Sequence, residues 1–211
     1  MTYRGAFNHV LLVIVTATLV LAAGIAGAAK LNSQNLTQLI TESESIISGT
    51  VKEVYDGIDP DGIPFTQVTI TVHSVAKGNI TEKQDYTFRQ FGLLEPRTMA
   101  NGHKLLAVAP DGFARWHEGE TVVAFMYKPA SRTGLQTTAG MAQGKLNLVN
   151  GKLINEFNNA GLFDGVEVDD SLLTDEQQNM LTTPGAVDAQ AFMDLVTRAV
   201  AEGWVENGEM R

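Results

Sequence analysis

This sequence predicts a mainly β fold, a small antiparallel barrel of OB-like type or a sandwich, with an extra hairpin and peripheral N- and C-terminal helices. Three observations carry that reading. Val68, Ile70 and Val72 alternate with Thr69, Thr71 and His73, the two-residue period of a sheet with one buried face. Asn150-Gly151 stands between two alternating runs, and both residues tolerate the positive φ that a two-residue hairpin turn demands. Towards the ends, Leu36, Leu39 and Ile40, and later Phe192, Leu195, Val196 and Val200, recur at helical spacing.

The chain opens with Arg4, an uncharged apolar run from Val10 to about Ala23, and the small-residue tract Ala26-Gly27-Ala28-Ala29. A positive flank, an apolar segment and an Ala-x-Ala site are what an export channel and a signal peptidase read, so residues 1–29 are expected to form a signal peptide. The mature protein is then periplasmic or secreted. The alternative is a domain anchored by an uncleaved N-terminal helix, because Val10 to Ala29 carries no charge and approaches the ~20 apolar residues that span a bilayer. Residues 30–160 are expected to form the β-barrel domain. Residues 161–211 read as an acidic irregular segment and a C-terminal helix packed on the barrel.

Ser33 is a plausible N-cap for the first helix, which runs to near Glu44. Ile46, Ile47, Val51 and Val54 read as a strand in which Gly49 marks a bulge or bend. Asp56-Gly57-Ile58-Asp59-Pro60-Asp61-Gly62 is dense in turn formers and leads into the strand Phe65 to Val75. Lys77-Gly78-Asn79 turns the chain into Asp85 to Phe91, where Tyr86 and Phe88 share a face.

From Gly92 to Gly119 the pattern weakens, with a short strand expected at Leu105 to Ala109. Thr121 to Tyr127 is an apolar run of the length of a central strand buried on both faces. Pro129 to Ala142 reads as loop, and Lys145 to Phe157 as the Asn-Gly hairpin. After an irregular stretch with a helical turn at Asp175 to Leu181, Asp188 caps the last helix and Gly203 stops it.

Composition excludes several classes. The net charge is −9, and loss of Arg4 with the leader makes it −10. Phosphate neutralisation by Lys and Arg drives non-specific nucleic-acid binding, so no nucleic-acid partner is expected. The absence of Cys removes disulfide support, a lipid-modified N-terminus and a thiol nucleophile. About 180 residues after the leader are enough for a self-sufficient core. A membrane is expected to be met only through the leader, if it is uncleaved.

Ser48-Gly49-Thr50-Val51, the run Val68 to Val75 ending in Ala76-Lys77-Gly78, Gly119-Glu120 before Val122 to Tyr127, and Gly140-Met141-Ala142-Gln143-Gly144-Lys145 form a loose pattern. It resembles exported bacterial proteins of unknown function and is similar in outline to netrin/TIMP-like OB-fold domains. The resemblance covers roughly residues 36–149 and implies a fold more than an activity. In the TIMP branch inhibition depends on an N-terminal Cys, which this chain lacks.

Nucleophilic hydrolysis has little footing, since there is no Gly-x-Ser-x-Gly elbow and Ser48 reads as a strand residue. His73, His103 and His117 are scattered, and His117-Glu118-Gly119-Glu120 lacks the second His of the helical zinc motif. Asp56, Asp59 and Asp61 with Gly62 resemble a calcium loop out of register, with weak calcium binding at Asp59 and Asp61 as the residual option. No catalytic residue and no cofactor are expected. Phe113 and Trp116 are the candidates for an aromatic binding surface, against the alternative that they belong to the core.

Two function classes follow. The first is an exported non-enzymatic binding or interaction module for an envelope or extracellular protein or ligand, whose loops Gly92 to His103 and Pro129 to Ala142 shape an exposed groove or apolar patch. The second is a metal-dependent or other hydrolase in which His103, His117 and nearby acids meet in one pocket.

Overall fold

The structure, a computed structural model, describes residues Ser33–Arg211; the leader expected at residues 1–29 lies outside the described residues. Two fourteen-residue strands dominate the sheet, β1 (Ser45–Ile58) and β2 (Pro64–Lys77). They are followed by β3 (Asp85–Phe91), β4 (Arg97–Thr98), β5 (Lys104–Leu105), β6 (Thr121–Met126), β7 (Lys145–Val149), β8 (Lys152–Ile154) and β9 (Val187–Asp188). Seven strands form one sheet in the order β3-β2-β1-β6-β7-β8-β9, every neighbour antiparallel, and β4-β5 is a separate ribbon. The fold is mainly β, and no strand ladder among the described residues closes the sheet into a barrel.

Central strand β6 is buried on both faces, as its unbroken apolar run requires. Val123 and Phe125 face one core with Ile46, Leu146 and Leu153, while Val122, Ala124 and Met126 face a second with Ile47, Val51, Val68 and Ile70. Each residue step along β6 thus changes core, the consequence of the strand's two-residue period.

The first core is covered by helices α1 (Leu36–Glu42), α2 (Asp175–Thr182), α3 (Ala189–Ala201) and α4 (Trp204–Asn207). Leu36, Leu39 and Ile40 of α1 enter it, and Phe192 of α3 meets Phe125 edge to face with ring centroids 6.3 Å apart. The α1 N-cap is Asn35, not Ser33: its side chain accepts the Gln38 N–H, and Gln38 reciprocates on the Asn35 N–H. Asp188 caps α3 as its sequence predicts, accepting from Gln190 and Ala191.

The second core is built from β1, β2, β3 and β6, with Ala114 and Trp116 of the segment after β3 packed into it. The register between β1 and β2 slips next to Gly49: Ser48 faces Ser74 and Gly49 faces Val72, leaving His73 as the extra residue. A Cβ at Gly49 would lie 2.5 Å from both Ile70 Cγ2 and the Thr71 carbonyl oxygen, so the strands close here only around a bare backbone. At its far end β1 continues through Asp56-Gly57-Ile58, so the strand extends into the run whose turn formers predict a loop.

Differences from the sequence reading concentrate after Phe91. The short strand expected at Leu105 to Ala109 is displaced to β4 and β5, and residues 106–109 instead return along Leu93, which donates to Ala107 and accepts from Ala109. The Asn-Gly hairpin is present, with β8 ending at Ile154 because Asn155 and Asn159 hydrogen-bond each other's backbone and start a turn. Among the described residues no helix is long and apolar enough to cross a membrane.

Candidate functional site

Between β3 and β6 the chain makes an excursion, residues 92–120, whose outer part stands over a cleft and whose inner part forms its floor. Gly92 (φ +104°) opens the excursion where a Cβ would lie 2.4 Å from the Ala109 backbone, so the outgoing and returning limbs touch. Asp56 then holds the outgoing limb with one carboxylate, accepting from the Leu94 N–H at 2.9 Å and from the Arg97 guanidinium. This single side chain satisfies two donors, and the charged pair is the stronger of the two bonds.

The returning limb, Ala114 to His117, forms the floor. Trp116 is only 4 % exposed and packs edge to face on Phe88, with centroids 5.2 Å apart. Its indole N–H points at Gln90 Oε1 (3.4 Å), Thr137 Oγ donates to the same oxygen, and Gln90 Nε2 donates to the Ala114 carbonyl (3.0 Å). Gln90, 1 % exposed, thereby fixes the floor to β3 with its polar atoms partnered, as a buried amide requires.

Two cavities open on either side of this limb. The larger, about 460 Å³, is walled by Val54, Leu93, Leu94, Val108 and Trp116, with Glu95, Asp111, Arg115, His117 and Glu118 also contributing. The smaller, about 210 Å³, holds Arg115, His117, Glu120, Lys145, Asn147 and Glu156. A cleft of the larger size, apolar with a few convergent polar groups, is of the kind that takes small ligands or side chains.

Lys145 is the buried charge of the smaller cavity. Its side chain is 6 % exposed; Nζ donates to the Arg115 carbonyl (2.6 Å) and to Glu120, and lies 5.1 Å from the centre of the Trp116 ring. Burial pulls the Lys145 ammonium below the ordinary lysine range, opposed by the Glu120 carboxylate. For Glu120 burial pushes upward, but the Lys145 hydrogen bond and charge, together with the His117 bonds, outweigh it and leave the carboxyl below its usual range. Glu120 thus ties three things together: Lys145, the His117 backbone N–H, and His117 Nδ1 at 2.9 Å.

His117 sits at the shared wall of both cavities and pairs with Glu120. His103 lies in the turn between β4 and β5, where its backbone N–H donates to Asn101 and its carbonyl accepts from Met99; neither cavity wall contains it. Asp59 accepts the Ile63 N–H at 2.7 Å in the β1–β2 turn, and Asp61 is exposed beside it. Among the described residues no three His, Asp or Glu side chains converge to hold a metal ion. Trp116 belongs to the second core, and Phe113 lines a separate shallow cavity with Phe91, Tyr127 and Leu135.

Lys145 and Gln90, the buried polar residues that shape the site, escape sequence reasoning. The signal for Lys145 is a charged residue directly before the inward Leu146 of a strand, which places it on the opposite face of a sheet whose neighbour is apolar on both. No protein-family model matches this chain, and no curated protein or solved structure is detectably similar to it.

Proposed function

We propose that this chain is an exported, non-enzymatic binding module, periplasmic or secreted, whose partner engages the cleft under residues 92–109. The observation that carries this is the coincidence of an apolar cavity, walled in part by Leu94 and Val108, with exposed large side chains on the segment that supplies that wall: Leu94 is 50 % and Leu106 69 % exposed, and Met99 and Val108 are also exposed. Isolated exposed apolar residues need no explanation, but four within residues 92–109 beside a cleft mark a surface for contact. Beneath it Gln90 pairs with the Trp116 indole and the Ala114 carbonyl and so holds the shape of the floor.

An OB-like barrel is the finer reading of the fold. It is supported by the second core enclosed by β1, β2, β3 and β6, and by one backbone bond, Gln136 N–H to the Arg89 carbonyl at 2.8 Å. That bond links the free edge of β3 to Gln136, immediately before residues 137–139, which run beside β6 through Tyr127–Thr137 and Ala139–Phe125 bonds. One bond across the gap is less than a ladder, and the barrel is a proposal on that footing.

The test uses the absence of Cys, which makes any introduced thiol unique. Leu94→Cys, carrying a thiol-linked photocrosslinker, is compared with Val149→Cys at the exposed β7–β8 hairpin. Incubated with envelope and culture-medium fractions, the Leu94→Cys probe should yield a discrete adduct that excess unlabelled protein suppresses. Equal labelling from both positions, or none from either, would overturn the reading.

A further inference from the structure

The geometry points to a basic, apolar peptide segment of a partner protein as the occupant of the larger cleft, with a bulky aliphatic side chain against Leu93, Leu94, Val108 and Trp116 and flanking Lys or Arg side chains on its acidic rim. This rests on the binding-module reading and adds the ligand class.

The charge of the wall decides the class. Glu95, Asp111 and Glu118 all line the cleft, and none of them forms an ion pair among the described residues. Glu118 is held in place, because its Oε1 accepts the Val54 N–H at 3.0 Å. Against these three stands Arg115 alone, since His117 carries charge only when protonated and already faces Glu120. The rim is therefore net negative on a chain whose whole charge is −9. An anionic ligand meets repulsion both near and far, and a cationic one is attracted from both.

Size and shape decide the rest. About 460 Å³ takes one large side chain and part of a backbone, not a folded domain. Leu94 in the cavity wall is itself half exposed, and Leu106 on the same segment is more exposed still, so an extended segment with one side chain inserted has further apolar side chains to meet outside. A simple organic amine would fill the cavity without using that outer surface.

The two tryptophans give two indole N–H resonances, and Trp116→Phe assigns the one on the cleft floor. The full mature chain is titrated with end-capped tripeptides: Lys-Leu-Lys, Glu-Leu-Glu, Ser-Leu-Ser and Lys-Ser-Lys. Lys-Leu-Lys should move the Trp116 signal with a Kd in the region of 1 mM or tighter, and each of the other three should bind at least about threefold more weakly. Glu95→Gln with Asp111→Asn, both at exposed positions, should weaken Lys-Leu-Lys about three- to tenfold and reduce its salt dependence, Glu118 remaining. If Glu-Leu-Glu or Ser-Leu-Ser binds as well as Lys-Leu-Lys, the cleft remains a binding site and the basic class is wrong. If Lys-Ser-Lys or butylamine matches Lys-Leu-Lys, the inserted aliphatic side chain is wrong. If no peptide moves the signal while Leu94→Cys still yields its adduct, the inference falls and the module reading survives; with neither, both fall.

Discussion

Replacing Glu120 should cost this protein more than removing Lys145, although the two form one ion pair. Lys145 is the buried member at 6 % side-chain exposure, whereas Glu120 retains 26 % and can reach water. Glu120→Gln keeps the shape but takes the paired carboxylate away from the buried ammonium, leaving it neutral acceptors, the Trp116 ring face and the more distant charge of Glu156. Removing one partner of a fully buried pair costs about 3–5 kcal/mol, and the partial exposure of Glu120 brings the expectation to about 2–3 kcal/mol. Lys145→Met removes the charge that needed burial compensation and leaves Glu120 with water and His117, so its cost should stay below about 1 kcal/mol. The double variant should then be more stable than Glu120→Gln alone. Urea unfolding followed by tryptophan emission measures all three, with an unchanged m-value as the check that unfolding remains two-state. A Lys145→Met loss equal to or larger than that of Glu120→Gln would refute the reasoning, as would a double variant no better than Glu120→Gln.

The same pair sets the sign of two pH effects. Glu120 has a folded pKa below its ordinary 4.5, so the stability it contributes is present above that value and is lost as pH falls through the folded one. Lys145 has a folded pKa below 10.5; between the two values the unfolded chain holds a proton that the folded chain has released, and stability rises with pH there. Tyr86, raised above 10.0 by burial against the pull of its Gln136 and Ser45 hydrogen bonds, acts oppositely: stability it contributes is lost as pH climbs through its folded value. The Lys145 part is therefore read as the difference between wild type and Lys145→Met, which Tyr86 shares equally.

Three further outcomes are expected. Gly49→Ala should destabilise by about 2 kcal/mol, since its Cβ must push apart Ile70 and the Thr71 carbonyl; unchanged urea unfolding would mean the strands separate freely there. Asp56→Ala should leave the core intact but free Arg97 and the Leu94 amide, so trypsin should cut after Arg97 several-fold faster, with resistance showing that other contacts hold the excursion. Asp59→Ala should lower stability by about 1 kcal/mol through the lost Ile63 hydrogen bond, and EDTA should leave the wild-type melting temperature unchanged; a drop on chelation would restore the calcium reading of Asp59 and Asp61.

Where local chemistry sufficed, the sequence was legible. The apolar run of β6 has no polar face to present to solvent, and it lies buried between two cores. Asn150-Gly151 and the Asp188 cap act within four residues, so nothing distant could overrule them. The first helix shows the limit even of local rules: Ser33 and Asn35 both suit an N-cap, and Gln38 decides for Asn35 by completing the reciprocal pair three residues on. Strand β9 leaves no signal in the sequence because two residues carry no period; Val187 pairs with Leu153 only because the chain returns there after a long detour.

Residues 92–119 resisted the same reading for a physical reason that bears on function. Their backbone is satisfied by distant side chains, Asp56 for Leu94 and Gln90 for Ala114, and by Gly92's close approach to Ala109, none of which leaves a period in the sequence. Lys145 likewise finds Glu120 from the neighbouring strand across 25 residues, a pairing that the strand order creates and composition cannot announce. Such a segment keeps large apolar residues exposed on an ordered support, where a free strand would pair them and a core would bury them. Natural sequences depart from local consistency mainly where a surface is used. The excursion departs from it while Gln90 ties its returning limb to β3 through Ala114 and Trp116, and an ordered support beneath exposed apolar side chains is what the proposed binding face requires.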